Sequence, residues 1–176
     1  MTPAEALREK VGVSVFPDDL FGENCYLIRR RDTTTAVCVD PGLQVEGVLR
    51  RIEQERLTVE RILVTHGHID HVGGVPAMHR ETKAPIAMHP DDLAILDWDQ
   101  FGQLPFLPPG FAPFVIDIRL AHDATLPFAQ YSFSWTLATS LAAGHQLELK
   151  LAASGGNRDV NLAYDTAANA SYLHLP

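Results

Sequence analysis

The stretch that most limits how this chain can fold runs from Arg61 to Gly74. Arg61-Ile62-Leu63-Val64-Thr65 is a short apolar run of the kind that forms a buried strand. It leads without a spacer into Thr65-His66-Gly67-His68-Ile69-Asp70-His71-Val72-Gly73-Gly74. Three of the eight histidines and one carboxylate fall inside this segment, and imidazole and carboxylate are donors that zinc, iron and manganese accept. His66 and His68 are two residues apart, so in an extended segment leaving a strand both point the same way. Asp70 and His71 are adjacent and cannot share that direction. The chain must therefore turn, and Gly67, Gly73 and Gly74 permit it. Such a loop can feed two neighbouring metal positions. A helix would carry its histidine pair at i, i+4, and Gly67 opposes a helix here.

Around this segment the front half alternates between strands and helices. Val11 to Phe16, Asn24 to Arg29 and Ala36 to Asp40 are β-branched or aromatic runs bounded by Pro, Gly, Asp and Asn, and read as strands. Between Leu43 and Leu57, Val45, Val48, Leu49 and Ile52 recur at helical spacing. Strand, helix and buried strand in succession predict sheet layers covered by helices. A second helix is expected from Val75 to Thr82 and a strand from Pro85 to Met88. Pro90-Asp91-Asp92 suits a helix start, with Asp92 expected at the surface. The Pro- and Phe-rich stretch Phe101 to Phe114 reads as a loop. Strands are expected again at Phe114 to Leu120, Tyr131 to Leu137, Gln146 to Ala152 and Val160 to Tyr164.

Composition narrows the setting. The 176 residues are 46% hydrophobic, enough for one folded domain spanning residues 1–176 and too apolar for a disordered chain. No run approaches the roughly 18 apolar residues of a membrane helix. The start, MTPAEALREKVG, lacks the apolar core of a secretory signal, so a cytoplasmic location is the expectation. A net charge of −8 disfavours nucleic acid and anionic lipid as partners and leaves a small-molecule substrate. Cys25 and Cys38 lie in facing strands and read as two reduced core thiols. His79, His89 and His122 are isolated and read as surface or packing residues. No G-x-S-x-G occurs, so serine hydrolase chemistry has no support.

Thr65 to Gly74 resembles the H-x-H-x-D-H signature of the metallo-β-lactamase superfamily. The resemblance extends to Phe21-Gly22-Glu23-Asn24-Cys25-Tyr26-Leu27-Ile28 and Val39-Asp40-Pro41-Gly42, and is closest to the glyoxalase II-like (hydroxyacylglutathione hydrolase-like) branch. It covers the chain best from about Val13 to Met88. It implies an α+β fold, the αββα sandwich, here incomplete at the C-terminus, with the site at one edge of the two sheets.

Carried over by resemblance, His66 and His68 would bind a first metal, and Asp70 and His71 a second. Ala142-Ala143-Gly144-His145 keeps the Gly-His of the family's third first-site ligand and loses its Thr-Pro, which makes His145 a candidate. Tyr164-Asp165-Thr166 matches the segment of the bridging aspartate, which makes Asp165 one. Asp40 would support the ligand loop from behind. The family's last second-site histidine has no assigned counterpart, because His174 follows Asp165 too closely.

The activity implied is a metal-dependent hydrolase that uses a metal-bound hydroxide, oriented by Asp70 as a catalytic residue, on a thioester or related ester or lactone carbonyl. The cofactor expected is zinc, one or two ions, with iron or manganese as substitutes. The competing readings are a mononuclear-iron sulfur dioxygenase on the same fold and a catalytically impaired remnant of the family. A nuclease of the superfamily is opposed by the acidic balance and the lack of a basic stripe.

Overall fold

The structure is a computed structural model that describes residues 9–121 and five later strands, at 125–128, 131–137, 147–153, 161–165 and 170–174. The chain divides into two compact units, one of Val11–Arg119 and one of Met1–Lys10 with Leu120–Pro176.

The Val11–Arg119 unit is built on six strands: β1 (Val11–Pro17), β2 (Asn24–Arg30), β3 (Thr35–Val39), β4 (Thr58–Val64), β5 (Ile86–Met88) and β6 (Ile118–Arg119). They stand side by side in chain order. β1, β2 and β3 form an antiparallel meander, and β3 to β6 run parallel. The change of direction follows the connections. Short turns return the chain antiparallel, whereas parallel neighbours need a crossover long enough to hold a helix. The crossover from β3 to β4 holds α1 (Glu46–Gln54). That from β4 to β5 holds α2 (Ile69–Val72) and α3 (Val75–Thr82). A 3-10 helix (Pro90–Ile95) and α4 (Trp98–Phe101) lie between β5 and β6.

Alternate strand residues make one face of this sheet. Cys25 and Leu27, Ala36 and Cys38, Ile62 and Val64, and Ile86 and Met88 share a core with Val48 and Ile52 of α1, Val72 of α2, and Val75 and Met78 of α3. The period-2 register of the strands and the 3.6-residue stripe of the helices meet there.

The helix expected between Leu43 and Leu57 is shorter, Glu46–Gln54. Arg56 takes a left-handed conformation, φ 51°, and Leu57 N donates to Ile52 O while Arg56 N donates to Glu53 O. That pair of bonds is a Schellman stop, formed here without glycine. The strand expected from Phe114 is only Ile118–Arg119, because Phe114 and Ile116 pack against the core cluster instead. Two short helices, α2 and α4, carry too few residues to show a period and were not expected from the sequence.

In the second unit, β7 (Thr125–Phe128), β8 (Tyr131–Leu137), β9 (Leu147–Ala153), β10 (Asn161–Asp165) and β11 (Ala170–His174) form a five-stranded sheet in the order β11-β10-β9-β8-β7. Every neighbouring pair is antiparallel. β8 coincides with the expected strand, and β9 and β10 are each shifted by one residue. β7 and β11 are additions. Among the described residues no helix is long and apolar enough to cross a membrane.

Candidate metal centre

The ligand loop starts where β3 and β4 end side by side. Parallel pairing aligns Val39 with Leu63, so the chain leaves both strands at the same edge of the sheet. Asp40 N still donates to Leu63 O at 2.9 Å, but Asp40 has φ 48°. This left-handed geometry is uncommon outside glycine and is tolerated best by Asn and Asp. Asp40 is buried, and its carboxylate organises the neighbouring loop. Oδ1 accepts from Thr65 N at 2.7 Å, and Oδ2 accepts from Thr65 Oγ1 at 2.5 Å and from His71 Nδ1 at 3.0 Å.

These bonds fix two imidazoles. The Thr65 hydroxyl gives its one hydrogen to Asp40, so its contact of 2.9 Å with His66 Nδ1 requires the hydrogen on the imidazole. His71 likewise donates from Nδ1 to a carboxylate that has nothing to donate. In both rings Nε2 is then the lone-pair nitrogen of the neutral form, the tautomer a metal-binding histidine uses. His66 Nε2 lies 3.0 Å from His68 Nδ1, and the His66 ring centroid is 4.1 Å from that of His71. Asp70 Oδ2 is 3.5 Å from His71 Nε2. Two donors this close suit a shared proton or a shared cation, since ligands on one zinc ion stand about 3.3 Å apart at bond lengths of about 2.0–2.2 Å. The donor set fits a transition ion. Burial alone would lower the His71 pKa, but the charge of Asp40, the hydrogen bond to it and the charge of Asp70 together outweigh burial and raise it above 6.5.

Close backbone approach makes the bend possible. A Cβ on Gly42 would stand 2.3 Å from the Asp70 carbonyl oxygen and 2.4 Å from Glu23 Oε2. One on Gly74 would stand 1.9 Å from Val45 Cγ1 and 2.2 Å from Gly42 O. Both positions exclude side chains, and Gly74 N donates to Pro41 O at 2.9 Å, tying the far end of the loop to the segment after β3.

Of the expected ligands, His66, His68, Asp70 and His71 are brought together. His145 lies outside the described residues, and Asp165 is the last residue of β10. Asp92 is not a surface residue but 5% exposed, with its carbonyl packed over Gly67. His79 bonds to the Ala84 carbonyl, and His89 is buried and accepts from Asp91 N. Cys25 and Cys38 are buried free thiols whose sulfurs lie 3.6 Å apart. Most aromatics between Trp98 and Phe114 pack on one another, whereas Phe106 is partly exposed beside Phe21, centroids 5.3 Å apart.

Sequence reasoning missed Glu23. It is 4% exposed and shares a cluster with Asp40 and His71 in which one donor atom of each falls within 4.8 Å of the others. Burial, followed by the charges of Asp40, Cys25, Asp70 and Asp18, pushes its pKa up to about 11. The run Phe21-Gly22-Glu23-Asn24 offers no periodic signal that would mark an acid as buried.

Relatives bear on this arrangement. An uncharacterised protein of Mycobacterium leprae is 40% identical over 91 residues, 51% of this chain and 42% of that protein. Hydroxyacylglutathione hydrolase GloC of Haemophilus influenzae is 40% identical over 63 residues, 36% of this chain and 29% of that protein. The chain thus spans less than half the length of either relative. The crystal structure of BLEG-1 B3 metallo-beta-lactamase superposes with a TM-score of 0.64 at 24% identity, over 79% of this chain and 66% of that one, which is a likeness of fold. The sequence profile of the metallo-beta-lactamase superfamily matches residues 18–146. That match runs from the β1–β2 loop through the histidine-rich bend and beyond the first sheet, and the chain belongs to the metallo-beta-lactamase superfamily.

Proposed function

We propose that this chain is a metal-dependent hydrolase acting on a thioester or a related ester or lactone carbonyl. The observation that carries the reading is the imidazole array on Asp40: His66 and His71 both turn Nε2 away from their anchoring oxygens, His66 Nε2 faces His68 at 3.0 Å, and Asp70 faces His71 at 3.5 Å. In this reading His66, His68, Asp70 and His71 hold the ion or ions, zinc in the first instance, and His145 and Asp165 stand as the further ligands that the family resemblance implies. When bound, a divalent cation lowers the pKa of water from 15.7 to about 7 and polarises a carbonyl.

The chain's own residues supply position. Thr65 keeps His66 in its ligand tautomer, Asp40 does the same for His71, and Asp70 places a carboxylate beside the reacting water. The exposed rings of Phe21 and Phe106, with Leu20 at 56% exposure, offer an apolar surface two residues from Glu23 for an acyl or thiol group. The similarity to GloC, whose name denotes hydrolysis of hydroxyacylglutathione, supports a thioester over a β-lactam.

Elemental analysis of the purified protein, followed by a panel of thioesters, lactones and β-lactams, tests the reading. It expects stoichiometric metal and thioester hydrolysis that a chelator abolishes. Metal-loaded protein that hydrolyses no member of the panel would contradict it, and oxygen uptake by an iron-loaded form in the presence of a persulfide would replace it with a dioxygenase.

A further inference from the structure

Glu23 is the residue immediately before β2, and its backbone is tied across the β1–β2 loop by Asp18 N donating to Glu23 O at 2.7 Å. Its side chain turns inward. Oε2 and the Asp70 carbonyl oxygen both crowd the space that a Cβ on Gly42 would fill, at 2.4 Å and 2.3 Å from it, while Oε1 is buried without a hydrogen-bond partner among the described residues. Leaving such an atom unsatisfied is costly, and a buried polar atom of this kind calls for an explanation. The groups whose charges act on Glu23 are Asp40, Cys25, Asp70 and Asp18. Among the described residues, Asp40 and Asp70 place carboxylates in contact with His71.

We infer that Glu23 is a positioning residue for the ligand loop: with a carboxylate oxygen within 4.8 Å of donor atoms of Asp40 and His71, it fixes the carboxylate that sets the tautomer and tilt of His71, and across Gly42 it sets the approach of the Asp70 backbone. Glu23 does not reach the reacting atoms. It acts on His71 through Asp40, and on Asp70 through the contact that the missing side chain of Gly42 allows. His71 bonds Asp40 directly, whereas His66 is reached from Asp40 through Thr65, one hydrogen bond further on, so Glu23 acts on His66 more weakly. The inference rests on the metal-centre reading for its consequence, but the orientation of His71 is a property of the metal-free protein. A cation held directly by Glu23, Asp40 and His71 would have to take His71 Nδ1 away from Asp40, which makes that arrangement a distinguishable alternative.

The test compares Glu23→Gln, Glu23→Ala and wild type by two readouts. One is zinc affinity by chelator competition. The other is the long-range ¹⁵N–¹H spectrum of the imidazoles without metal, which reports each ring's tautomer. Glu23→Gln, which keeps volume and hydrogen-bonding capacity, is expected to match wild type within about twofold in zinc affinity, with His71 protonated on Nδ1. Glu23→Ala is expected to weaken zinc binding by about 10–100-fold, the usual effect of losing an outer-shell partner. It should also mix the His71 tautomers, with a smaller change at His66.

The inference is overturned if Glu23→Ala matches wild type in both readouts, if Glu23→Gln is as damaged as Glu23→Ala (the pattern of a direct cation ligand), or if His66 and His71 change equally. Should Glu23→Ala not fold, Glu23→Asp withdraws the acid by one methylene. It is then expected to shift the His71 tautomer, and no shift overturns the proposal. Wild type that takes up no zinc would contradict the metal reading alone, because the spectra of the metal-free protein still decide the role of Glu23.

Discussion

Asp40 joins three neighbours through one carboxylate, and the cost of removing it follows from that. Substituting Asp40→Ala leaves Thr65 N, Thr65 Oγ1 and His71 Nδ1 without their acceptor. Leaving a buried donor without its acceptor costs about 1–3 kcal/mol, and the unanchored His71 should weaken metal affinity by about 10–100-fold. Urea unfolding and chelator competition measure the two effects. Unchanged affinity in the variant would mean that His71 is held by something other than Asp40.

At this scale the sequence was informative wherever chemistry and spacing coincided. His66, His68, Asp70 and His71 could be named because donor-rich residues with glycines directly after an apolar run are uncommon as structure alone. Glu23 and Thr65 could not, because their roles depend on which strand ends lie side by side, and that is a property of sheet order rather than of local pattern.

Between elements, the tightest constraint is the contact of the Gly73-Gly74 bend with the segment following β3. A Gly74→Ala change brings a methyl group to 1.9 Å from Val45 Cγ1 and 2.2 Å from the Gly42 carbonyl. Overpacking of this kind typically costs about 1–3 kcal/mol. The cost should appear as a lower thermal midpoint, with weaker metal uptake because the same bend carries His71. A midpoint equal to wild type would show that α2 and α3 can shift without disturbing the loop.

Elements with a clear period were legible from the sequence: β1, β2, β3, β4, α3 and β8 lie within a few residues of expectation. The end of α1 was not, because Arg56 adopts a left-handed stop that a search for glycine passes over. The Cys25 and Cys38 thiols, expected in facing strands, do face each other across β2 and β3.

For the molecule as a whole, Glu23 makes stability depend on pH. Its pKa, about 11 in the folded protein, is raised from an ordinary 4.5 chiefly by burial. A group whose folded-state pKa is raised contributes its full stability below the unfolded value and loses it progressively as pH climbs toward the folded one. The metal-free protein should therefore lose stability relative to Glu23→Gln from about pH 5 up to about pH 11. Urea midpoints of the two proteins across that range measure the difference. A gap that stays constant would place the proton elsewhere. The topology of the Val11–Arg119 unit could be anticipated from the strand-helix-strand order. The five-stranded sheet of the second unit was legible only in part, since Thr125–Phe128 and Ala170–His174 are short and flanked by weak turn signals.

The central claim is that the bend after β4 clasps a transition ion, and metal content measured together with X-ray absorption on wild type, His66→Ala and His68→Ala tests it most directly. Wild type is expected to hold stoichiometric metal, with nitrogen donors at about 2.0–2.1 Å, and each variant to lose the first-site ion. Folded wild type that takes up neither zinc, iron nor manganese, or metal content that both substitutions leave unchanged, would contradict it.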